Sequence, residues 1–251
     1  MSDYGFFPPK ADFLEPLEQT DYQNSFSFSE MLRKKKVDLT KDGLVTPIRN
    51  QLPCNSCTSF GVTASLETKH LLETGDAIEL AAGWIHRCLG EVPCEYTLDL
   101  RKVSLALEGR NVPLASQGSY PWNGNQCQLS GGVKAQGFME FRSDKQIMNA
   151  VAQGVAVAVG MKFNADFITW SGDTVYSYDD NEEKLEHVAV IVGYDSEARL
   201  WLLKNSLGDG WGDEGYFRVK FGDCGIMREY HSYGAVSDGF DNNSDLNNSV
   251  A

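Results

Sequence analysis

The chain has 251 residues, 42% of them apolar, enough to bury a full core in one large or two closely packed domains. Its 22 basic against 35 acidic residues give a formal charge of −13, which argues against nucleic acid or an anionic membrane as a partner. No segment approaches transmembrane length.

Residues 1–35 mix aromatics, prolines and charge without a helical or strand period, and they lack the basic start and long apolar stretch of a signal peptide. Two roles are open for this extension: packing on the back of the following domain, or lying over a cleft and regulating it. Phe6, Phe7, Phe13 and Leu14 would anchor it in either case. The basic run from Arg33 to Lys36 reads as a solvated boundary.

The stretch QLPCNSCTSF, Gln51 to Phe60, stands at a loop-to-helix junction. From Ser59 the sequence reads as helix, with Phe60 and Ala64 four apart, Lys69 and Glu73 four apart, and Gly75 as a stop signal. A thiol at Cys57 would feel unpaired N–H groups and the positive end of the helix dipole, both of which favour thiolate. A neighbouring imidazolium would lower its pKa further. The alternatives are a structural CxxC, a zinc half-site and a redox pair. Zinc would want a second Cys/His pair at short spacing, and a redox pair usually follows a strand in a βαβ pattern; neither is found here.

Ile78 to Cys94 reads as a shorter helix around Trp84 and Ile85, then a turn, and residues 98–110 as another helix. Ser143 and Gln146 form a capping-box start for a helix that stops at Gly154. Val155 to Val159, His187 to Tyr194, Leu200 to Lys204 and Tyr216 to Phe221 read as strands. A mainly helical half is thus followed by a strand-rich half. The tail, residues 237–251, is polar and expected to be disordered; it holds sequons at Asn242 and Asn247.

His187 opens an apolar strand 130 residues beyond Cys57, and Asn205 ends the next strand 148 beyond it. With VTPIRNQ before the cysteines, LEHVAVIVGYD around His187 and LLKNSLGDGWG around Asn205, the chain resembles the papain family of cysteine proteases from about Lys36 to about Val236. The resemblance implies an α+β, two-lobed fold: a helical left lobe, an antiparallel β-rich right lobe and the active site in the cleft between. It implies Cys57 as nucleophile, His187 as acid and base, Asn205 as orienter of the imidazole, and Gln51 in the oxyanion hole with the Cys57 N–H. Singly, Gln51 reads as a turn residue, His187 as a satisfied strand-end histidine and Asn205 as a turn-former.

By the same resemblance, Cys54 pairs with Cys94 and Cys88 with Cys127, leaving Cys57 free and Cys224 without its usual partner. Two disulfides would contribute about 2–5 kcal/mol each and imply a secreted or otherwise oxidising location, with a cytosolic protein as the alternative. Ala158 and Val188 match positions lining the main specificity pocket, and Trp211 matches the leaving-group side; core roles for all three are open. No cofactor or metal is implied. The expected partner is a peptide or protein substrate, and the expected state a monomer. Residues 1–35 are shorter than the family's inhibitory propeptide.

Departures from the pattern bear on activity. The tryptophan that usually follows the nucleophile is Thr58, the one after KNS is Leu207, and the usual Asn-Gly-Gly after Cys94 is Glu95-Tyr96-Thr97. The expected activity is an endopeptidase working through a thioester. The alternatives are acyl transfer or amide hydrolysis on another substrate, a binding protein on a retired protease fold, or a zymogen held by its N-terminal segment.

Overall fold

Every residue from Cys57 to Lys69 is buried in the helix α1, Cys57–Thr74. Its small side chains explain how it fits: Ser59, Gly61, Thr63, Ala64 and Ser65 let neighbouring backbone close in from both sides. A Cβ on Gly61 would stand 2.7 Å from Val188 Cγ1 and 3.5 Å from Ala158 Cβ, so glycine is what lets the helix pass beneath the sheet. The helix ends at Gly75, whose φ of 77° is the left-handed conformation in which its N–H caps Leu71.

The computed structural model describes residues 34–122, 127–128, 131–237 and 240. The expected N-terminal extension, but for its last two residues, and nearly all of the polar tail lie outside them. After a short helical stretch, Ala82–Trp84 continued by Ile85–Leu89, come α2, Leu100–Leu107, and α3, Asp144–Ala152. The Ser143 side chain caps α3 by accepting from the Gln146 N–H at 3.2 Å. The expected box closes one residue early, because Gln146 Oε1 reaches the Arg142 N–H rather than that of Ser143.

Besides a two-stranded pair, Asn111–Val112 with Val133–Lys134, the strands among the described residues are β1 (Lys36–Asp38), β2 (Gly137–Glu140), β3 (Val157–Phe163), β4 (Val175–Tyr176), β5 (Leu185–Asp195), β6 (Leu200–Lys204), β7 (Tyr216–Lys220) and β8 (Ser232–Val236). They form one sheet in the order β2-β8-β3-β5-β6-β7-β4, with β1 added to β5. All pairs are antiparallel except β4 with β7. The strand expected from Val155 begins two residues later and runs on to Phe163. Lys162 continues it because its amine reaches out of the sheet to Asp180 and Glu229, both at 2.9 Å.

Two cores result. One is built on the sheet around Phe163, Ile191, Trp201 and Phe217. The other gathers Val62, Leu66, Ile85, Val103 and Leu107 from the helical half, with Ala158, Val188 and Tyr233 of the sheet packed against it. Helices and an antiparallel-rich sheet make the expected α+β fold, with α1 running along the boundary between the two cores.

Candidate active site

Cys57 is the first residue of α1, and it is 2% exposed. The cap residue Ser56 gives no side-chain bond to the helix; its hydroxyl instead meets Tyr120 Oη at 2.7 Å. The first helical N–H groups therefore stay available to a negative charge beside Cys57. The thiol lies against β5, where it takes hydrogen bonds from the Val188 and Thr58 backbone N–H groups. Val188 is the residue next to His187, so this contact sets the sulfur at the strand that carries the imidazole.

His187 Nε2 bonds Asn205 Oδ1 at 2.8 Å. The same oxygen accepts the Ser206 N–H at 2.8 Å, which fixes the orientation of the amide. An amide oxygen only accepts, so Nε2 carries the ring hydrogen and the neutral ring keeps a lone pair on Nδ1. Nδ1 is buried and has no partner among the described residues. Where the tryptophan is absent at Leu207, apolar cover comes from another side: the ring centroids of Phe163 and Phe167 stand 5.9 and 6.2 Å from that of the imidazole.

Gln51 is fully buried and held at both ends of its side chain. Ser206 Oγ donates to its Oε1 at 2.7 Å, and its Nε2 donates to Cys54 O at 3.1 Å, leaving the second amide hydrogen unassigned. The backbone is fixed as well: its N–H reaches Ser206 O at 2.8 Å, and Tyr120 Oη donates to its carbonyl. Sequence reasoning missed Tyr120 and Ser206. The neighbour of Asn205 was within sight in the KNS motif; Tyr120, 69 residues from Gln51, gave no local signal.

The wall beside Cys57 is tied to its loop and helix four times. Cys54 pairs with Cys94, with Cα atoms 4.5 Å apart, and Asn55 bonds the Cys94 and Glu95 carbonyls at 2.8 and 2.9 Å. Thr58 Oγ1 donates to Leu98 O at 2.6 Å. Tyr96 projects from this wall, 60% exposed. The second pair joins Cys88 to Cys127, and Cys57 and Cys224 are the free cysteines, both buried.

The candidate substrate-contact residues divide. Ala158 and Val188 share the helical-side core with Cys57, Ala158 with no exposed surface. Trp211 belongs to the sheet core; its indole donates to Phe167 O at 2.8 Å, and its ring meets that of Phe167 at 4.7 Å. It reaches His187 through Phe167.

Burial governs the charges. It pushes the Cys57 thiol up, against hydrogen bonds, the Val188 amide foremost, that favour thiolate, and it pulls His187 down to about 4, against the Asn205 bond that favours the cation. Burial thus favours the neutral form of each group, against the helix dipole, which favours thiolate. An imidazole pKa below the unfolded value of about 6.5 gives stability that is complete above that pH and lost as pH falls towards 4. We expect roughly 3 kcal/mol to disappear over that interval from His187 alone. Urea melts of the wild type and His187→Gln across it check this, because the variant should lose that part of the slope.

A family model described as papain family cysteine protease matches residues 33–234. The chain belongs to the papain family. It is 30% identical to procathepsin L of Mus musculus over 202 residues, covering 74% of the chain and 60% of that protein. It is 28% identical to cathepsin K of the same species over 205 residues, covering 76% and 61%. The match therefore spans less than two thirds of those relatives. Among solved structures, digestive procathepsin L 3 of Tenebrio molitor larval midgut superposes with a TM-score of 0.69 at 25% identity, covering 80% of this chain and 70% of that one. The Amb a 11 cysteine protease of ragweed pollen, in its proform, shares the fold at a TM-score of 0.66 and 23% identity, over 80% and 66%.

Proposed function

We propose that residues 36–236 form a cysteine endopeptidase domain that hydrolyses peptide bonds through a thioester on Cys57. The observation that carries this reading is the 2.8 Å bond from His187 Nε2 to Asn205 Oδ1, which leaves a buried lone pair on Nδ1 beside the strand that holds the thiol. The Cys57 proton passes to Nδ1 as sulfur attacks the substrate carbonyl. The oxyanion settles at the Cys57 N–H and the Gln51 amide, and the imidazolium then protonates the leaving amine. Water attacks the thioester with His187 as base, and the acid product leaves the thiol free.

Mass spectrometry of the unreduced protein with an epoxysuccinyl peptide probe tests this directly. One adduct, lost in Cys57→Ala, supports it; no adduct on protein with a free Cys57 opposes it. Gln51→Ala should lower kcat by about a hundred- to a thousand-fold, as expected for the loss of one oxyanion donor. Ser206→Ala should give a smaller fall by releasing Gln51 Oε1. Stopped-flow assays on a peptide amide separate kcat from KM.

A second reading rests on the wall at Glu95-Tyr96-Thr97. A projecting Tyr96, 60% exposed where the family places glycines, favours acyl transfer to an amine or hydrolysis of a non-peptide amide. Product analysis with added amine distinguishes the two. The two disulfides support an oxidising compartment, secretion included, as the working location.

A further inference from the structure

Beside Asn50 and Phe60, next to the Gln51 loop, lies a half-open cavity of about 190 Å³ that Cys57, His187 and Asn205 do not line. Its floor is Ala81, Ala82, Gly83 and Ala115, and its walls are the rings of Phe60, Tyr120 and Trp122. The floor is small because space is limited: a Cβ on Gly83 would meet Tyr120 Cδ2 and Trp122 Cβ at 3.1 Å. Phe60 and Tyr120 stand edge to face, with centroids 5.2 Å apart. An apolar cavity of roughly 150 Å³ holds a benzene ring, so this one takes a single ring with a short head group.

The lining includes both signs of charge. Arg49 stacks its guanidinium on Phe60, 5.0 Å from the ring centroid, and meets Glu79 at 3.3 Å. Its other bonds, to Glu67, Thr63 and Leu80 O, lie at 2.7 to 2.8 Å and turn into the protein. Glu79 is the partner that can give way, because its side chain is 63% exposed against 15% for Arg49. A ligand with a carboxylate and an ammonium matches this pair, whereas a simple anion would face Glu79 and a simple cation Arg49.

We propose that this cavity binds a free single-ring aromatic amino acid, with its ring between Phe60, Tyr120 and Trp122, its carboxylate at Arg49 and its ammonium at Glu79. The ring would exploit the faces and edges of three aromatic side chains. Tyr120 also holds the Gln51 carbonyl and the Ser56 hydroxyl, so an occupant packs directly on the residue that supports the oxyanion loop.

Isothermal titration of the full chain with L-phenylalanine tests the site without reference to catalysis. We expect saturable binding for phenylalanine, none for alanine at equal concentration, and no change after Cys57 is capped by the epoxysuccinyl probe. Glu79→Gln, at an exposed position, should weaken binding about threefold. Ala115→Leu, which fills the cavity from a half-buried position in its floor, should abolish it, with circular dichroism to check the fold. Absence of saturable binding in the millimolar range, or binding that survives Ala115→Leu, overturns the proposal; so does binding lost on capping Cys57, which would place phenylalanine in the cleft.

Discussion

Cys57→Ala is expected to abolish turnover, by a factor on the order of a million, with no loss of stability. The size follows from the chemistry, because attacking group and proton donor are one atom and nothing else in the site replaces it. The surroundings favour a folded variant: Cys57 is 2% exposed, and its sulfur takes weak hydrogen bonds, that of the Val188 amide foremost. Alanine removes the sulfur and spares the desolvation of a group that burial already disfavours as a thiolate. Stability should stay within about 1 kcal/mol of wild type by urea titration, since alanine at the head of a helix is well tolerated. Turnover that persisted in the variant would exclude the thioester. An inactive variant that also unfolded would assign Cys57 a packing role.

How much of this was legible before the structure differs by element. The helix at Cys57 announced itself through its spacing and through Gly75, and β5 and β6 through apolar runs bounded by turns. The strand β8, Ser232–Val236, went unread, although it pairs with both β2 and β3. SYGAV is short, holds a glycine and is buried along most of its length, so it shows no alternation of the kind that marks a half-exposed strand. The triad candidates were legible only as a set of spacings that resembled a family. Their supports were not: Phe163 and Phe167 reach the imidazole, and Tyr120 reaches Gln51, through contacts that depend on how loops return in space. The desolvation that opposes a thiolate at Cys57 was hidden for the same reason, because the helix dipole is a local property and burial is not.

A carboxylate with no exposed surface makes the strongest stability prediction. Glu67, on α1, accepts from Arg49 Nη2 and the Leu80 N–H at 2.8 Å through Oε1, and from Thr46 Oγ1 at 2.7 Å through Oε2. Thr46 in turn accepts from Lys204 Nζ at its carbonyl, 2.7 Å, and its hydroxyl, 3.1 Å. Glu67 thus meets Arg49 directly and Lys204 through Thr46 across the joint between α1 and β6, the strand that ends beside Asn205. Burial pulls Lys204 down to about 8, and the charge of Glu67 opposes that fall. Glu67→Ala would leave Arg49 only its pair with the exposed Glu79, strand the Leu80 N–H and deepen the depression of Lys204, costing about 3 kcal/mol. Because a lowered lysine pKa means that the unfolded chain binds more protons, the contribution of Lys204 to stability rises with pH from about 8 towards the unfolded value of about 10.4. In Glu67→Ala that rise should begin at lower pH. Adding Lys204→Met should recover part of the loss, since an apolar side chain no longer needs the anion. Urea midpoints of the three proteins between pH 7 and pH 10 decide the matter: a loss under about 1 kcal/mol in the single variant, as for an exposed ion pair, would mean that water reaches the cluster and that the joint does not depend on it.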